Sequence, residues 1–211
     1  MSDAAKNPLF ERMALIGAGL IGSSLARVAK RDHLVRHIAV CARTHETLDK
    51  ALELGFADSV SLDPAEAVRE ADLVVLCTPL GVDGEIAKTM APGLKPGAIV
   101  SDVGSCKETM FRDVRPHLPD GVHMVPAHPV AGTEQSGPEA GFTELFEGRW
   151  CVLTPADDAD AGVVKRVAEL WRQCKMSVEV MDAAHHDQVM AITSHLPHLI
   201  SYTIVGTAND P

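Results

Sequence analysis

Met13-Ala14-Leu15-Ile16-Gly17-Ala18-Gly19-Leu20-Ile21-Gly22 decides the fold. It opens as an apolar run and ends in three glycines spaced G-x-G-x-x-G, after which Ser23 to Lys30 continue in a helical pattern. Each glycine has its own job in a strand–turn–helix. Gly17 permits the tight turn, Gly19 lets a pyrophosphate approach the backbone, and Gly22 lets the helix lie close on the strand. Unpaired N–H groups at the helix start face the phosphates, and the helix dipole favours their charge. Gly17, Ala18, Gly19, Leu20, Ile21 and Gly22 are therefore expected to cradle a dinucleotide.

Outward from this turn, strand and helix signals alternate. Apolar strands are predicted at Arg12–Ile16, His37–Ala42, Asp58–Val60, Asp72–Cys77, Ala98–Asp102 and Val122–Pro126. Between them lie helices from Leu20 to Lys30, from Thr44 (N-cap) to Leu54 before Gly55, and from Asp63-Pro64. Others run from beyond Pro79 to Met90 and from Cys106 to Leu118. Residues 1–10 read as a loose lead-in. A strand at Trp150–Leu153, a helix at Asp160–Gln173 and a strand at Ser177–Val180 follow. A long apolar helix, interrupted by Pro197, then starts near Asp182.

Such alternation predicts an α/β, Rossmann-type doubly wound, mostly parallel sheet with right-handed crossovers. Residues 1–181 would be the dinucleotide-binding domain, and 182–211 the first helix of a C-terminal helical domain otherwise absent from this chain. In doubly wound sheets the ligand lies outside the carboxyl ends of the strands. The candidate site therefore gathers the glycine turn, Arg43-Thr44, Thr78-Pro79, Asp102 to Lys107, and His128-Pro129. For the cofactor, the end of the second strand discriminates. An acid there would hold the ribose 2′-OH of NAD; Arg43 stands instead and suits a 2′-phosphate, with Thr44 beside it. That favours NADP over NAD.

The chain has 211 residues, is 46% hydrophobic and carries a formal net charge of -10. No basic stripe is visible, which argues against nucleic acid or an anionic membrane surface as partner. No apolar run approaches the ~20 residues of a membrane span, and from the polar, acidic N-terminus no signal peptide is expected. A cytoplasmic protein is expected. Cys41, Cys77, Cys106, Cys151 and Cys174 form no CxxC pair and read as reduced thiols rather than disulfides or metal ligands.

Four further stretches carry a resemblance: Asp102-Val103-Gly104-Ser105-Cys106-Lys107, His128-Pro129-Val130-Ala131-Gly132-Thr133-Glu134, Ser136-Gly137-Pro138 and Ser194-His195-Leu196-Pro197-His198. With the glycine turn, in this order, the chain resembles the prephenate/arogenate (cyclohexadienyl) dehydrogenases of tyrosine biosynthesis over about residues 12–205. The resemblance implies an NAD(P)-dependent oxidative decarboxylation of prephenate or arogenate. It implies that His128 is the catalytic base, that Ser105 binds the ring hydroxyl near the nicotinamide, and that Glu134 and His198 border the substrate. It implies a helical second domain that forms a homodimer and supplies an arginine. This chain ends before that region, so a fragment, or a pocket completed by a partner chain, is expected.

Read from the residues alone, several of these positions have plainer explanations. Lys107 reads equally as a solvated lysine, Ser105 as a helix N-cap, and His185-His186 as exposed residues opening a helix. His195 and His198 share a helix face, but no third ligand makes them a metal site. Two other functional classes compete. One is another NADP-dependent oxidoreductase, of the β-hydroxyacid dehydrogenase or pyrroline-carboxylate reductase type; the other is a non-catalytic dinucleotide-sensing domain.

Overall fold

Phe10–Ile16 (β1), Val35–Cys41 (β2), Ser59–Ser61 (β3), Leu73–Leu76 (β4), Ile99–Asp102 (β5) and His123–Met124 (β6) form one parallel sheet in the computed structural model. The structure describes residues 7–209; residues 1–6 of the expected lead-in lie outside the described residues. The strand order is β3-β2-β1-β4-β5-β6. Chain direction across the sheet reverses between β1 and β4, which is the doubly wound arrangement the alternation predicts. β1 is central, with Leu15 opposite Val40 on one side and Val75 on the other.

Alternate residues of the central strands point to opposite faces, and both faces are covered. Met13, Leu15, Ile38 and Val40 pack on one side with Leu25 and Val28 of Leu20–Arg31 (α1) and Leu48 of His45–Glu53 (α2). Ala14, Ile16, Val74 and Leu76 pack on the other. Their partners there are Ala67 of Pro64–Ala67 (α3), Ala87 and Met90 of Asp83–Met90 (α4), and Met110 and Val114. The helix starts follow the predicted chemistry: Thr44 accepts from the Thr47 N–H, and Asp63 from the Ala65 N–H with Pro64 at the first position.

Three readings need correction. Ala127–Pro129 (β7), Trp150–Leu153 (β8) and Ser177–Val180 (β9) form a separate three-stranded sheet, with β7 antiparallel to β8. The main sheet is not simply extended. Ala161–Gln173 (α5) buries Trp171 edge-on against Phe146, with ring centroids 5.5 Å apart. The helix expected over Cys106–Leu118 is a π turn at Met110–Val114 tightening to 3₁₀ at Arg115–His117, where Pro116 has no N–H to give. The C-terminal helix is two pieces, Ala183–Met190 (α6) and Leu196–Asn209 (α7), joined by a π turn at Ala191–His195. The break falls just before Pro197, whose ring cannot follow a regular helical turn.

Among the described residues no helix is long and apolar enough to cross a membrane. The cysteines are free thiols. Burial pushes the Cys41 thiol up to about 11 and the Cys174 thiol up to about 12, so neither is a ready nucleophile.

Candidate active site

The turn after β1 has the shape its glycines predict. Gly17 has φ +102°, and a Cβ there would stand 2.6 Å from the Cys77 carbonyl oxygen. A Cβ on Gly22 would meet the Gly17 carbonyl oxygen at 2.5 Å. These two glycines are needed by the fold. Gly19 differs: a Cβ would meet nothing within 4 Å, so the space beside it is open. Gly19 caps α1 without a side-chain hydrogen bond, which leaves first-turn N–H groups for an anion. The site therefore fits a pyrophosphate. Gly19→Val is expected to leave the unfolding midpoint nearly unchanged while dinucleotide affinity falls at least about 100-fold; calorimetric titration showing retained affinity would contradict the assignment.

Arg43 and Thr44 follow β2, the strand beside β1. Arg43 is exposed and enters none of the ion pairs found among the described residues. Thr78 and Pro79 follow β4. The Thr78 hydroxyl donates to Asp83 Oδ1 at 2.6 Å, and burial pushes that carboxyl up.

Asp102, at the end of β5, was expected at the cofactor, but its side chain is committed inside the protein. It is 1% exposed and pairs with Lys107, which is fully buried. Asp102 also accepts from the Gly104 N–H at 2.8 Å and the Ala127 N–H at 3.0 Å. Burial pushes its carboxyl up, while the Lys107 ammonium and these donors pull it back. Lys107 Nζ gives a second bond to the Ala127 carbonyl at 2.8 Å. Carboxylate and ammonium together clamp both backbone groups of Ala127, the residue before His128. The solvated-lysine reading of Lys107 is thereby corrected.

His128, in β7, is 8% exposed. Burial first, then the nearby Lys107 charge, hold its imidazole down at about 3. The ring is therefore neutral at pH 7, with one ring-nitrogen lone pair free to accept a hydrogen bond. Its Nδ1 lies 2.9 Å from Nε2 of His186. His186 opens α6 but is fully buried rather than exposed. Its Nδ1 lies 2.8 Å from Oδ1 of Asp187. That carboxylate accepts the Lys107 and Glu108 N–H groups at 2.7 and 3.0 Å. So Asp187 caps the 107–108 turn, a job otherwise open to Ser105. His186 and Asp187 were not singled out as site residues from the sequence. The available signal was a His-Asp pair in the first turn of a helix after the last strand.

Ser105 is half-buried, whereas Glu134 and His198 are exposed. His198 Nδ1 lies 2.9 Å from the Ser194 carbonyl, and neither Glu134 nor His198 hydrogen-bonds to His128. A groove of about 660 Å³ lies elsewhere, beside β6 between Arg115, His123 and Asp160. It holds none of the residues above. Among the described residues no group of three or more His, Cys, Asp or Glu is placed to hold a metal ion.

A doubly wound sheet with an open glycine turn at the end of its first strand defines a dinucleotide-binding domain. Residues 25–180 match the nucleotide-binding domain of prephenate dehydrogenase and residues 182–210 match its dimerization domain. The chain is 41% identical over 198 residues to the cyclohexadienyl dehydrogenase of Zymomonas mobilis, covering 94% of this chain and 67% of that protein. It is 30% identical over 200 residues to the prephenate dehydrogenase of Bacillus subtilis, covering 94% and 54%. The fold matches the crystal structure of prephenate dehydrogenase from Aquifex aeolicus in complex with hydroxyphenyl propionate and NAD+, with TM-score 0.86 and 31% identity, over 93% of this chain and 68% of that one. The chain belongs to the prephenate dehydrogenase family, whose named members are oxidoreductases. It spans between 54% and 68% of the length of these three relatives.

Proposed function

We propose that this protein catalyses the NAD(P)-dependent oxidative decarboxylation of prephenate, arogenate or both. Residues 1–181 bind the dinucleotide, and 182–211 begin the helical domain. The observation that carries the reading is a buried His128 directly after Ala127, whose backbone is held by Asp102 at the end of β5 and by Lys107, in a chain of this family. When bound, the nicotinamide supplies a hydride acceptor. The chain's own groups manage the proton. His128 accepts the hydroxyl proton as the C–H bond at the same carbon breaks and a carbonyl forms. The carbon–carboxylate bond then breaks to release carbon dioxide, and its electron pair enters the ring. The ring becomes aromatic, and the oxygen recovers its proton from the imidazolium. Ser105 shares the hydroxyl; Glu134 and His198 border the substrate.

An exposed Arg43 at the end of β2 supports a 2′-phosphate, hence NADP over NAD. Arg43→Asp is expected to shift the NADP:NAD ratio of kcat/KM at least about tenfold toward NAD; an unchanged ratio would remove Arg43 from this role. Ile192, Leu199 and Ile204 are each 63% exposed, and Tyr202 76%. That exposed apolar surface, with the dimerization-domain match, supports a homodimer through the C-terminal helices. Free thiols throughout support a reducing, cytoplasmic setting. The test is a steady-state assay of the complete polypeptide with prephenate, arogenate and β-hydroxyacids, each with both cofactors. Turnover of a cyclohexadienyl substrate with one carbon dioxide per reduced nicotinamide is expected. Turnover of hydroxyacids alone would overturn the proposal.

A further inference from the structure

We infer that Asp187 and His186 fix the tautomer of His128, placing its one ring proton on Nδ1 and leaving Nε2 bare for the substrate hydroxyl. The inference deepens the reading of His128 as proton acceptor and rests on it. Hydrogen positions follow here from the network of partners, starting at its charged end. Asp187 is partly buried, which alone would raise its carboxyl. The Lys107 and Glu108 N–H groups and His186 outweigh that and hold it below the usual carboxylate range. An ionised carboxylate only accepts, so the His186 nitrogen 2.8 Å from it, Nδ1, carries a proton.

Burial keeps His186 neutral near pH 7. A neutral imidazole with its proton on Nδ1 has a bare Nε2, which is an acceptor. That bare nitrogen is the one 2.9 Å from His128 Nδ1. His128 must therefore donate there, through Nδ1–H. Being neutral as well, it has no proton left for Nε2. The charged and titratable groups around the two rings are Lys107, Asp102, Asp187 and His195. Among them only Asp187 receives a ring hydrogen bond, so the direction of donation starts there.

The same arrangement serves the charged state. Once Nε2 takes a proton, the imidazolium donates through Nδ1 to His186, which is itself polarised by the carboxylate. His186 and Asp187 touch neither substrate nor cofactor in this scheme; they are positioning residues that act through His128. The Asp187 carboxylate, which accepts from the backbone N–H groups of Lys107 and Glu108 some 80 positions away, also holds α6 against the site.

The test reads the tautomer directly. Two-bond ¹H–¹⁵N correlation spectra of the complete, uniformly labelled protein, compared with His128→Asn to assign the ring, report which nitrogen is protonated. The wild type is expected to show the Nδ1–H form. His186→Gln, whose side-chain oxygen can still accept from Nδ1, is expected to keep that form and kcat within about tenfold. His186→Leu removes the acceptor and is expected to show the Nε2–H form in a substantial fraction, with kcat down about 100-fold or more and dinucleotide Kd unchanged. An Nε2–H tautomer in the wild type, or in His186→Gln, would overturn the inference. So would an unchanged tautomer and kcat in His186→Leu. If the spectra behave as expected but His128→Asn turns over normally, the proton-acceptor reading fails while the tautomer assignment stands.

Discussion

His128→Asn is expected to lower kcat by about 10²–10⁴-fold while the dinucleotide dissociation constant stays within about twofold. The size of the loss follows from what the imidazole alone does. An asparagine amide can hydrogen-bond to the ring hydroxyl but cannot take its proton at neutral pH. Hydride would then have to leave a carbon whose oxygen is still protonated, which builds positive charge in a buried site. Affinity for the cofactor is expected to survive because the substitution leaves the backbone of β7 in place. Ala127 remains clamped between Asp102 and Lys107, and residue 128 keeps its place opposite Val152. Single-turnover kinetics beside calorimetric titration separate the two quantities. Near-normal turnover would remove His128 from the chemistry.

Lys107→Met carries the second large effect, this time on stability. The substitution keeps most of the side-chain volume and removes the charge. Asp102 would be left 1% exposed with only backbone donors, bearing either an unpaired charge or the cost of taking up a proton. Breaking a buried pair from one side costs about 3–5 kcal/mol, which is a large part of a typical domain's stability. Adding Asp102→Asn removes the stranded charge and is expected to recover about 1–3 kcal/mol of that loss. Urea unfolding of the wild type, the single variant and the double variant measures both steps. A loss below about 1 kcal/mol in Lys107→Met would mean that the pair is not the clamp described here.

What the sequence displayed well was local. The Gly17–Gly22 turn, the Thr44 and Asp63 caps and the apolar runs of β1, β2, β4 and β5 depend on residues within one element and its flanks. What it hid was set at long range. β7 pairs with β8 across the Gly132–Gly148 stretch, and nothing in Ala127-His128-Pro129 distinguishes a seventh main-sheet strand from the edge of a new sheet. Lys107 looks solvated because its partner sits at the end of a strand five residues earlier, across a turn. Even so, an aspartate closing a buried strand is a clue that a cation lies near. His186 looks exposed until Asp187 caps the 107–108 turn and draws α6 onto the site. The role proposed for His128 rests on the family resemblance; the tautomer inferred for it rests on partners that only the structure brings together.

In the working enzyme His128 Nε2 is expected to face the reacting hydroxyl. A crystal structure of the complete polypeptide with dinucleotide and an unreactive substrate analogue that retains the ring hydroxyl tests it most directly. The expected result is Nε2 within about 2.6–3.2 Å of that oxygen, with Nδ1 still on His186. An imidazole turned away from the hydroxyl, or another side chain in that place, would contradict the account.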